Sequence, residues 1–218
     1  MNSPSALSLS FLRFALNNNV LRFGRFTTKA GRETPYFFDA GLFNTGAQLE
    51  TLGRFYADAI WESKLPFTML FGPAYKGIAL ATTTATALSR YHDMDCPIAF
   101  NRKEAKDHGE GGRIIGSPLT GRVLIVDDVI SAGTSVREAA DWIRAAGADL
   151  AGVVIALDRQ ERGRDDERSA TQQVEETLGI PVIAISRLDD LVQLLKKDSG
   201  NADRLNDILA YRDRHGAR

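Results

Sequence analysis

The sequence predicts an α/β fold in which a central, mostly parallel sheet is flanked by helices. Short apolar segments alternate with helical segments from residue 68 to residue 185, which is typical of parallel strands linked by helices. The apolar segments lack the polar alternation of a one-sided strand, and this indicates a sheet covered on both faces. Gly147, Gly179 and Pro181 stand at helix-to-strand junctions, where such residues end helices. The apolar pattern and the helix ends therefore favour the same fold class.

The chain before residue 68 predicts smaller elements. Phe11 to Leu16 belongs to an amphipathic stretch that ends at Asn17 to Asn19, as a first helix would. The segments VLRF and PYFFD are predicted strands, and Lys29 to Arg32 between them favours a hairpin connection. Apolar residues recur at the helical period from Gln48 to Ser63, so we expect a second helix there.

The rest of the chain predicts the alternating elements. In order they are strand TMLF, helix Gly77 to Tyr91, strands PIAF and VLIV, helix Ser135 to Ala146, strand GVVIAL, a helix ending at Leu178, strand PVIAI and a helical tail. The segment from Asn101 to Pro118 interrupts this order, because it is basic and glycine-rich and offers only Ile114 and Ile115 for burial. We predict a mobile loop at about residues 101–118, since long loops in compact domains are often functional. A solvated insertion without function is the alternative.

Composition limits the class of protein. At 218 residues, 44% of them hydrophobic, the chain is expected to form a single domain, residues 1–218. Lys and Arg number 27 and Asp and Glu 28, so we expect neither nucleic acid nor a membrane as the main partner. No stretch is apolar enough to span a membrane, and the N-terminus lacks the features of a signal peptide. Cys96, the one cysteine, is interpreted as a small buried residue in a protein of the reducing cytoplasm.

The segment VLIVDDVISAGTS, Val123 to Ser135, carries the most informative chemistry. Its apolar start predicts a strand that delivers Asp127 and Asp128 to the carboxyl end of a parallel sheet, where α/β proteins bind ligands. Adjacent desolvated carboxylates repel each other, and sugar hydroxyls or a cation would relieve this repulsion. The small and hydroxyl residues that follow let backbone N–H groups at a helix N-terminus approach a phosphate. The spacing therefore predicts a ribose 5-phosphate ligand.

Two common nucleotide-binding loops also follow strands in α/β proteins, but neither fits this sequence. A glycine-rich dinucleotide turn requires G-x-G-x-x-G, which does not follow the strand Val123 to Val126. Gly72 and Gly77 have the spacing of a Walker loop, but Ile78 and Ala79 replace its Lys and Ser/Thr. An acidic turn with an ordinary Ser/Thr helix cap and a phosphate-accepting receiver domain remain as alternatives.

VLIVDDVISAGTS resembles the 5-phosphoribosyl 1-pyrophosphate (PRPP) signature of the type I phosphoribosyltransferases. Further segments narrow the resemblance to the orotate phosphoribosyltransferases: KAGRETPYFFDAGLFNTG, LFGPAYKGIALATTTA, FNRKEAKDHGEGG and LDRQERG. The resemblance implies the type I phosphoribosyltransferase fold, with a small hood formed largely by N-terminal segments. It also implies transfer of the phosphoribosyl group from PRPP to orotate, which gives orotidine 5′-monophosphate and pyrophosphate in pyrimidine (UMP) biosynthesis.

The resemblance assigns roles to individual residues. The catalytic residues are Arg102, Lys103, Lys106 and His108, with Arg102 and Lys106 reaching the site of a second subunit, so that a homodimer is implied. PRPP is bound by Lys29, Tyr75, Lys76, Asp127, Asp128, Val129, Ile130, Ser131, Ala132, Gly133, Thr134 and Ser135. Orotate is bound by Phe37, Phe38, Ser131 and Arg159, whose guanidinium suits a planar carboxylate. Mg²⁺ is expected on substrate oxygens rather than in a cage of protein ligands.

Alternatives to these roles stay open at this point. Lys29 and Lys76 could be solvated surface cations, and Phe37 and Phe38 could be core residues that contact a base only through their backbone. Ser131 stands where the family more often has threonine, and this serine retains the hydroxyl group. A noncatalytic PRPP-binding regulator of the same fold is the alternative function, and a purine or uracil transferase is an alternative within the enzyme class.

Overall fold

This computed structural model describes residues 4–28, 31–104, 113–163, 166–197 and 199–217. The strands are β1 Leu21–Thr27, β2 Glu33–Phe38, β3 Met69–Gly72, β4 Ile98–Asn101, β5 Ile114–Gly116, β6 Arg122–Asp127, β7 Asp149–Asp158 and β8 Val182–Arg187. The helices are α1 Ala6–Asn17, α2 Gly46–Ser63, α3 Lys76–His92, α4 Thr134–Ala145, α5 Ala170–Leu178, α6 Leu188–Lys196 and α7 Ala202–His215, with 3-10 helices at Ala40–Leu42 and Ser199–Asn201. None of the described helices is long and apolar enough to cross a membrane.

The described strands of the central sheet follow the order β5-β4-β3-β6-β7-β8. All neighbours in this sheet are parallel except β4 and β5. Leu124 and Val126 of β6 belong to the core that α2 and α3 cover, whereas Val123 and Ile125 belong to the core that α4 covers. The predicted α/β fold, with helices on both faces of a mostly parallel sheet, is therefore confirmed.

A smaller antiparallel sheet of β1 and β2 forms the hood, which we define as these strands together with α1, α6 and α7. The helical tail thus has a structural role that its sequence pattern does not predict. Tyr211 of α7 packs against Tyr36 of β2 in an edge-to-face contact, with ring centroids 6.1 Å apart. Both rings are buried. The N-terminal segments therefore form the hood together with the C-terminal helices.

The predicted loop at residues 101–118 is shorter than expected. Ile114–Gly116 forms β5, which pairs with β4, and the Arg102 backbone N–H donates to the Arg113 carbonyl oxygen at 2.7 Å. Residues 105–112 lie outside the described part of the chain. A strand as short as β5 carries too few side chains for a period to be recognised. The ends of this segment are therefore anchored on the sheet beside β4.

Candidate active site

The acidic pair lies at the carboxyl end of β6, in the interior of the sheet. Asp127 and Asp128 are buried, with 7% and 8% of their surface exposed. The Asp127 carboxylate accepts hydrogen bonds from the Asp128 backbone N–H at 2.9 Å and from the Ser135 hydroxyl at 3.0 Å. The Tyr56 hydroxyl of α2 donates to the Asp127 carbonyl oxygen at 2.8 Å. These bonds fix the pair at the carboxyl end of the sheet, where α/β proteins bind ligands.

Burial has the largest effect on the Asp127 carboxyl group. Desolvation and then the charge of Asp128 raise the pKa of Asp127 to about 6, although hydrogen bonds from the Asp128 N–H and the Ser135 hydroxyl oppose the rise. A desolvated carboxylate of this kind gains strongly from a hydroxyl donor or a cation. The electrostatics of the pair therefore suit a polyhydroxyl ligand.

Lys76, at the start of α3, joins the acidic pair to the hood. Its ammonium nitrogen lies 2.8 Å from an Asp128 carboxylate oxygen and 3.0 Å from an Asp39 carboxylate oxygen. Partial burial lowers the pKa of Lys76, but hydrogen bonds and charges from both carboxylates outweigh burial and raise it above its ordinary value. Lys76 is therefore a fixed cation beside the acidic pair, rather than a freely solvated one.

The helix that follows the acidic pair begins without a side-chain cap. The N-cap residue of α4 is Gly133, which adopts φ +68° and has no side chain to accept a backbone N–H. Thr45 and Ser169, by contrast, cap α2 and α5. The Arg137 guanidinium donates to the Ala132 carbonyl oxygen and closes the loop. No described side chain caps the first N–H groups of α4, so they are available to an anion, and the alternative of an ordinary Ser/Thr cap is wrong.

The turn before α3 and the start of the basic segment lie side by side. The Ala74 backbone N–H donates to the Asn101 side-chain oxygen at 2.8 Å. The Lys103 ammonium lies 4.9 Å from the centroid of the Tyr75 ring, and Tyr75 is 65% exposed. The Arg102 Nε atom is buried and has no hydrogen-bond partner among the described residues. Cationic groups from the basic segment therefore meet the turn that precedes α3.

A cleft of about 610 Å³ connects this turn with the start of α4. The lining combines three basic side chains with the first two residues of α4 and with two acidic residues further along that helix. The lining residues are Pro73, Ala74, Asn101, Arg102, Lys103, Arg113, Thr134, Ser135, Glu138, Asp141 and Trp142. Cations and a helix N-terminus that share one cleft suit a ligand with several phosphate oxygens. A groove of about 670 Å³ in the hood is lined by none of the predicted site residues that the structure describes.

Arg159 follows β7 and is held by Glu161, two residues further along the chain, and by Tyr36 of the hood strand β2. Its Nε atom donates to a Glu161 carboxylate oxygen at 2.9 Å and to the Tyr36 hydroxyl at 3.3 Å. The guanidinium lies 5.1 Å from the centroid of the Tyr36 ring. Burial lowers the pKa of Arg159, but Tyr36 and Glu161 outweigh this effect and raise it. The guanidinium is therefore charged, and its orientation is fixed before any ligand binds.

The two predicted base-contacting phenylalanines have packed rings. The Phe38 ring lies 6.3 Å from the Phe11 ring, against the hood core. The Phe37 ring lies 5.4 Å from the Phe26 ring and 5.6 Å from the Arg22 guanidinium. Both rings thus have structural partners, which favours the interpretation that contact with a base uses their backbone.

Comparisons with known proteins agree with this site. Residues 45–186 match the family model described as a phosphoribosyl transferase domain. Orotate phosphoribosyltransferases of Cronobacter sakazakii and Thioalkalivibrio sulfidiphilus are 59% and 60% identical to the chain over 206 residues, which covers 94% of this chain and 96% of each relative. The chain belongs to the orotate phosphoribosyltransferase family. A solved orotate phosphoribosyltransferase of Francisella tularensis is 41% identical, with a TM-score of 0.87 over 95% of this chain and 100% of that one.

Membership of the orotate phosphoribosyltransferase family excludes the receiver-domain alternative and confirms the resemblance seen in the sequence. The segment that resembles the PRPP signature, Val123 to Ser135, lies within the matched residues 45–186. Of the residues predicted by resemblance, Lys29, Lys106 and His108 lie outside the described residues.

The structure adds residues to this orotate phosphoribosyltransferase site that the sequence did not predict. Asp39 binds Lys76, Asn101 binds the turn before α3, and Glu161 with Tyr36 holds Arg159. Asp39 is the last residue of the predicted strand PYFFD, so an acid at a strand end was a usable signal. Glu161 lies inside the LDRQERG segment, but its hydrogen bond with Tyr36 of the hood is not visible in the sequence.

Two further predictions concern groups outside the acidic pair. Cys96 is buried, and desolvation, followed by the charge of Asp95, raises the pKa of its thiol to about 11. The thiol is therefore protonated near neutral pH, consistent with a packing role. Among the described residues, no group of three or more His, Cys, Asp or Glu side chains is arranged to hold a metal ion.

Proposed function

We propose that the protein transfers the phosphoribosyl group of PRPP to orotate, giving orotidine 5′-monophosphate and pyrophosphate in UMP biosynthesis. One observation carries the proposal. Asp127 ends β6 and Arg159 follows the adjacent parallel strand β7. A ribose-binding carboxylate pair and a carboxylate-binding guanidinium therefore emerge at the carboxyl end of the same sheet. Family membership supports orotate as the base that this edge accepts.

The ribose 5-phosphate would be held by β6 and the loop that follows it. Asp127 and Asp128 would accept hydrogen bonds from the ribose hydroxyls, which add donors to those that the protein already provides. The residues from Val129 to Ser135, with the uncapped N-terminus of α4, would bind the 5′-phosphate through backbone N–H groups. One strand, loop and helix would then hold both ends of the sugar.

Loss of pyrophosphate would be assisted by cations around the cleft. Positive charge develops on the ribose ring and negative charge on the leaving group, so cations at the leaving group bind the transition state more strongly than the substrate. Lys76, Arg102 and Lys103 are described cations beside the turn that holds Tyr75. Lys29, Lys106 and His108 are assigned to the same role by resemblance alone, with His108 as an acid or hydrogen-bond donor.

Mg²⁺ is proposed to accompany PRPP rather than to occupy a protein cage. Asp127 and Asp128 are the carboxylates that fit such an ion, and one Asp128 oxygen already binds the Lys76 ammonium. Two carboxylates beside a cationic cleft suit an ion whose other ligands are substrate oxygens and water. When bound, the ion would neutralise charge on the pyrophosphate.

Orotate would bind between the hood and the end of β7. The Arg159 guanidinium matches the planar carboxylate of orotate, and Glu161 with Tyr36 fixes its orientation. The backbone of Phe37 and Phe38 and the exposed Ser131 would contact the ring. A purine or uracil lacks the carboxylate, so Arg159 is the group that favours orotate over other bases.

A homodimer with shared sites and a cytoplasmic location complete the proposal. The resemblance of the segment FNRKEAKDHGEGG to the family's catalytic loop supports a role of Arg102 and Lys106 toward a second subunit. A reducing compartment is supported by the buried thiol of Cys96, which has no second cysteine with which to pair.

The decisive test measures loss of orotate absorbance with PRPP and Mg²⁺. We expect turnover with orotate, no turnover with adenine or uracil, and loss of turnover when the metal is chelated. The Asp127→Asn/Asp128→Asn double variant should be inactive. Asp149→Asn is the matched control, since Asp149 is exposed at the opposite end of β7, and it should retain parental activity.

The noncatalytic regulator is the competing function. It predicts PRPP binding, detectable by calorimetry, without turnover of any base. Turnover of adenine or uracil in place of orotate would instead retain the fold and the PRPP site but disprove the assignment of the base.

A further inference from the structure

Lys76 is shared between two carboxylates that belong to different parts of the molecule. Asp128 follows β6 in the central sheet, whereas Asp39 follows β2 in the hood and precedes the 3-10 helix Ala40–Leu42. The Lys76 ammonium lies 2.8 Å from the first and 3.0 Å from the second. A single cation therefore links the ribose-binding edge of the sheet to the hood.

Both oxygens of the Asp128 carboxylate are engaged in this arrangement. One accepts the Val129 backbone N–H at 2.9 Å and the other accepts from Lys76. A ribose hydroxyl can reach the second oxygen only by displacing the ammonium or by sharing that oxygen with it. Binding of a sugar there therefore either displaces Lys76 from Asp128 or makes the ammonium share that oxygen with the hydroxyl.

Asp39 is built to remain charged beside Lys76. Partial burial raises the pKa of Asp39, but the Lys76 hydrogen bond, the Gly41 backbone N–H and nearby cationic charge, including that of Arg22, outweigh burial and lower it. The Gly41 N–H donates to the same Asp39 oxygen at 3.0 Å. Asp39 is therefore a fixed anion whose position does not depend on Lys76 alone.

We propose that Asp39 is a positioning residue for PRPP binding, which retains the Lys76 ammonium when the ribose hydroxyls take its place on Asp128. With Asp39 present, the ammonium keeps an anionic partner after it leaves Asp128 and remains next to the turn that faces the pyrophosphate. Without that anion, Lys76 is held by Asp128 alone and competes with the sugar. The inference rests on the proposed transfer reaction and assigns a role to a residue outside the PRPP signature.

The test compares Asp39→Asn with the parental protein. Asparagine keeps a side-chain oxygen for the Gly41 N–H but removes the charge, so the turn is preserved. We expect the KM for PRPP to rise about two- to fivefold, the range for a partly exposed ion pair, with kcat and the KM for orotate nearly unchanged. Asp39→Glu should recover part of the loss, and Asp149→Asn should leave all constants unchanged.

A double-mutant cycle separates this role from a general effect on the hood. If Asp39 acts through Lys76, Asp39→Asn should have no additional effect on PRPP affinity in a Lys76→Met background. Equal effects in both backgrounds, or an unchanged or lower KM for PRPP in Asp39→Asn, would overturn the inference. PRPP affinity measured by calorimetry provides the same comparison without turnover. A parental protein that binds PRPP but does not convert orotate would disprove the proposed function and leave this test intact.

Discussion

At the scale of single residues, the buried acidic pair lowers the stability of the folded protein but favours the binding of a ligand. The folded protein would be more stable with a neutral Asp127 side chain, because desolvation and the neighbouring charge of Asp128 both disfavour its carboxylate. Its only described side-chain donor is the Ser135 hydroxyl. Each carboxylate oxygen of the pair already accepts from one protein donor, so a ligand would add to these donors or replace them. Perturbed charge of this kind is common at functional sites.

This leads to a prediction on stability and pH. The folded-state pKa of Asp127, about 6, exceeds the ordinary value of 3.8, so the folded protein binds more protons than the unfolded chain between these values. The cost of the buried charge is therefore complete above pH 6, at about 3 kcal/mol, and falls as pH decreases toward 3.8. Asp127→Asn should raise the free energy of unfolding at pH 8, and the gain should be roughly half as large at pH 5.

Denaturant unfolding at both pH values measures this difference. Asp149→Asn, which removes an exposed carboxylate, serves as the control and should show no comparable gain. An Asp127→Asn variant that is no more stable than the parent at pH 8, or whose gain does not shrink at pH 5, would contradict the assigned pKa.

At the scale of elements, the C-terminal end of α7 supports the segment that carries Arg159. The Arg162 N–H donates to the His215 carbonyl oxygen at 2.9 Å, and the Ala217 N–H donates to the Gln160 carbonyl oxygen at 2.8 Å. Glu161 and Gly216 form an antiparallel bridge between the same segments. Backbone pairing therefore positions the Glu161 carboxylate that orients Arg159.

Removal of residues 216–218 should weaken orotate binding selectively. The shortened chain loses the bond from the Ala217 N–H, which is one of the two bonds that form the bridge at Gly216. Such a hydrogen bond contributes about 0.5–1.5 kcal/mol net. We expect the KM for orotate to rise by up to about tenfold, with a much smaller change in the KM for PRPP. Steady-state kinetics check this, with exposed Asp213→Asn as the control. Equal changes in both KM values would indicate a general loss of structure instead.

The elements that the sequence predicts are those with a clear local pattern, either a helical period or an apolar run. Helix α2 and the strands from β3 to β8, apart from β5, follow from runs of apolar residues and from Gly or Pro at their ends. β5 is not predicted, because Ile114 and Ile115 become strand residues only through pairing with Phe100 and Asn101 of β4. Short elements of this kind are determined by tertiary pairing rather than by local pattern.

The candidate site divides in the same way. Asp127, Asp128 and the loop to Ser135 are contiguous, so one motif predicts their shared position. The partnerships of Lys76 with Asp39 and of Arg159 with Tyr36 join segments that are distant in the chain. Such pairs depend on how the hood packs against the sheet, which no local pattern in a single sequence encodes.

At the scale of the whole molecule, the proposed dimer completes each site with cations from a second subunit. Arg102 anchors one end of the basic segment to Arg113 through its backbone, while its side-chain Nε atom has no partner among the described residues. A buried guanidinium nitrogen without a partner is uncommon in a folded protein. Because its own chain already buries this atom, sharing between subunits is supported by the resemblance that assigns Arg102 and Lys106 to a neighbouring subunit's site, and not by the missing hydrogen bond.

Mixing two inactive variants tests this sharing. Lys106→Ala removes a predicted loop cation, and Asp127→Asn/Asp128→Asn removes the ribose site, so each homodimer should have little activity. In a hybrid with shared sites, one site combines an intact acidic pair with an intact loop from the other subunit. Random mixing should then restore about a quarter of parental activity, because half of the dimers are hybrids with one complete site each.

The hybrid fraction must be measured independently, and native mass spectrometry provides it. Restored activity should increase in proportion to that fraction and disappear when either variant is assayed alone. Proven hybrids without any recovery would mean that each loop serves its own subunit. The dimer would then have a structural role, and the catalytic contribution of Lys106 would have to arise within one chain.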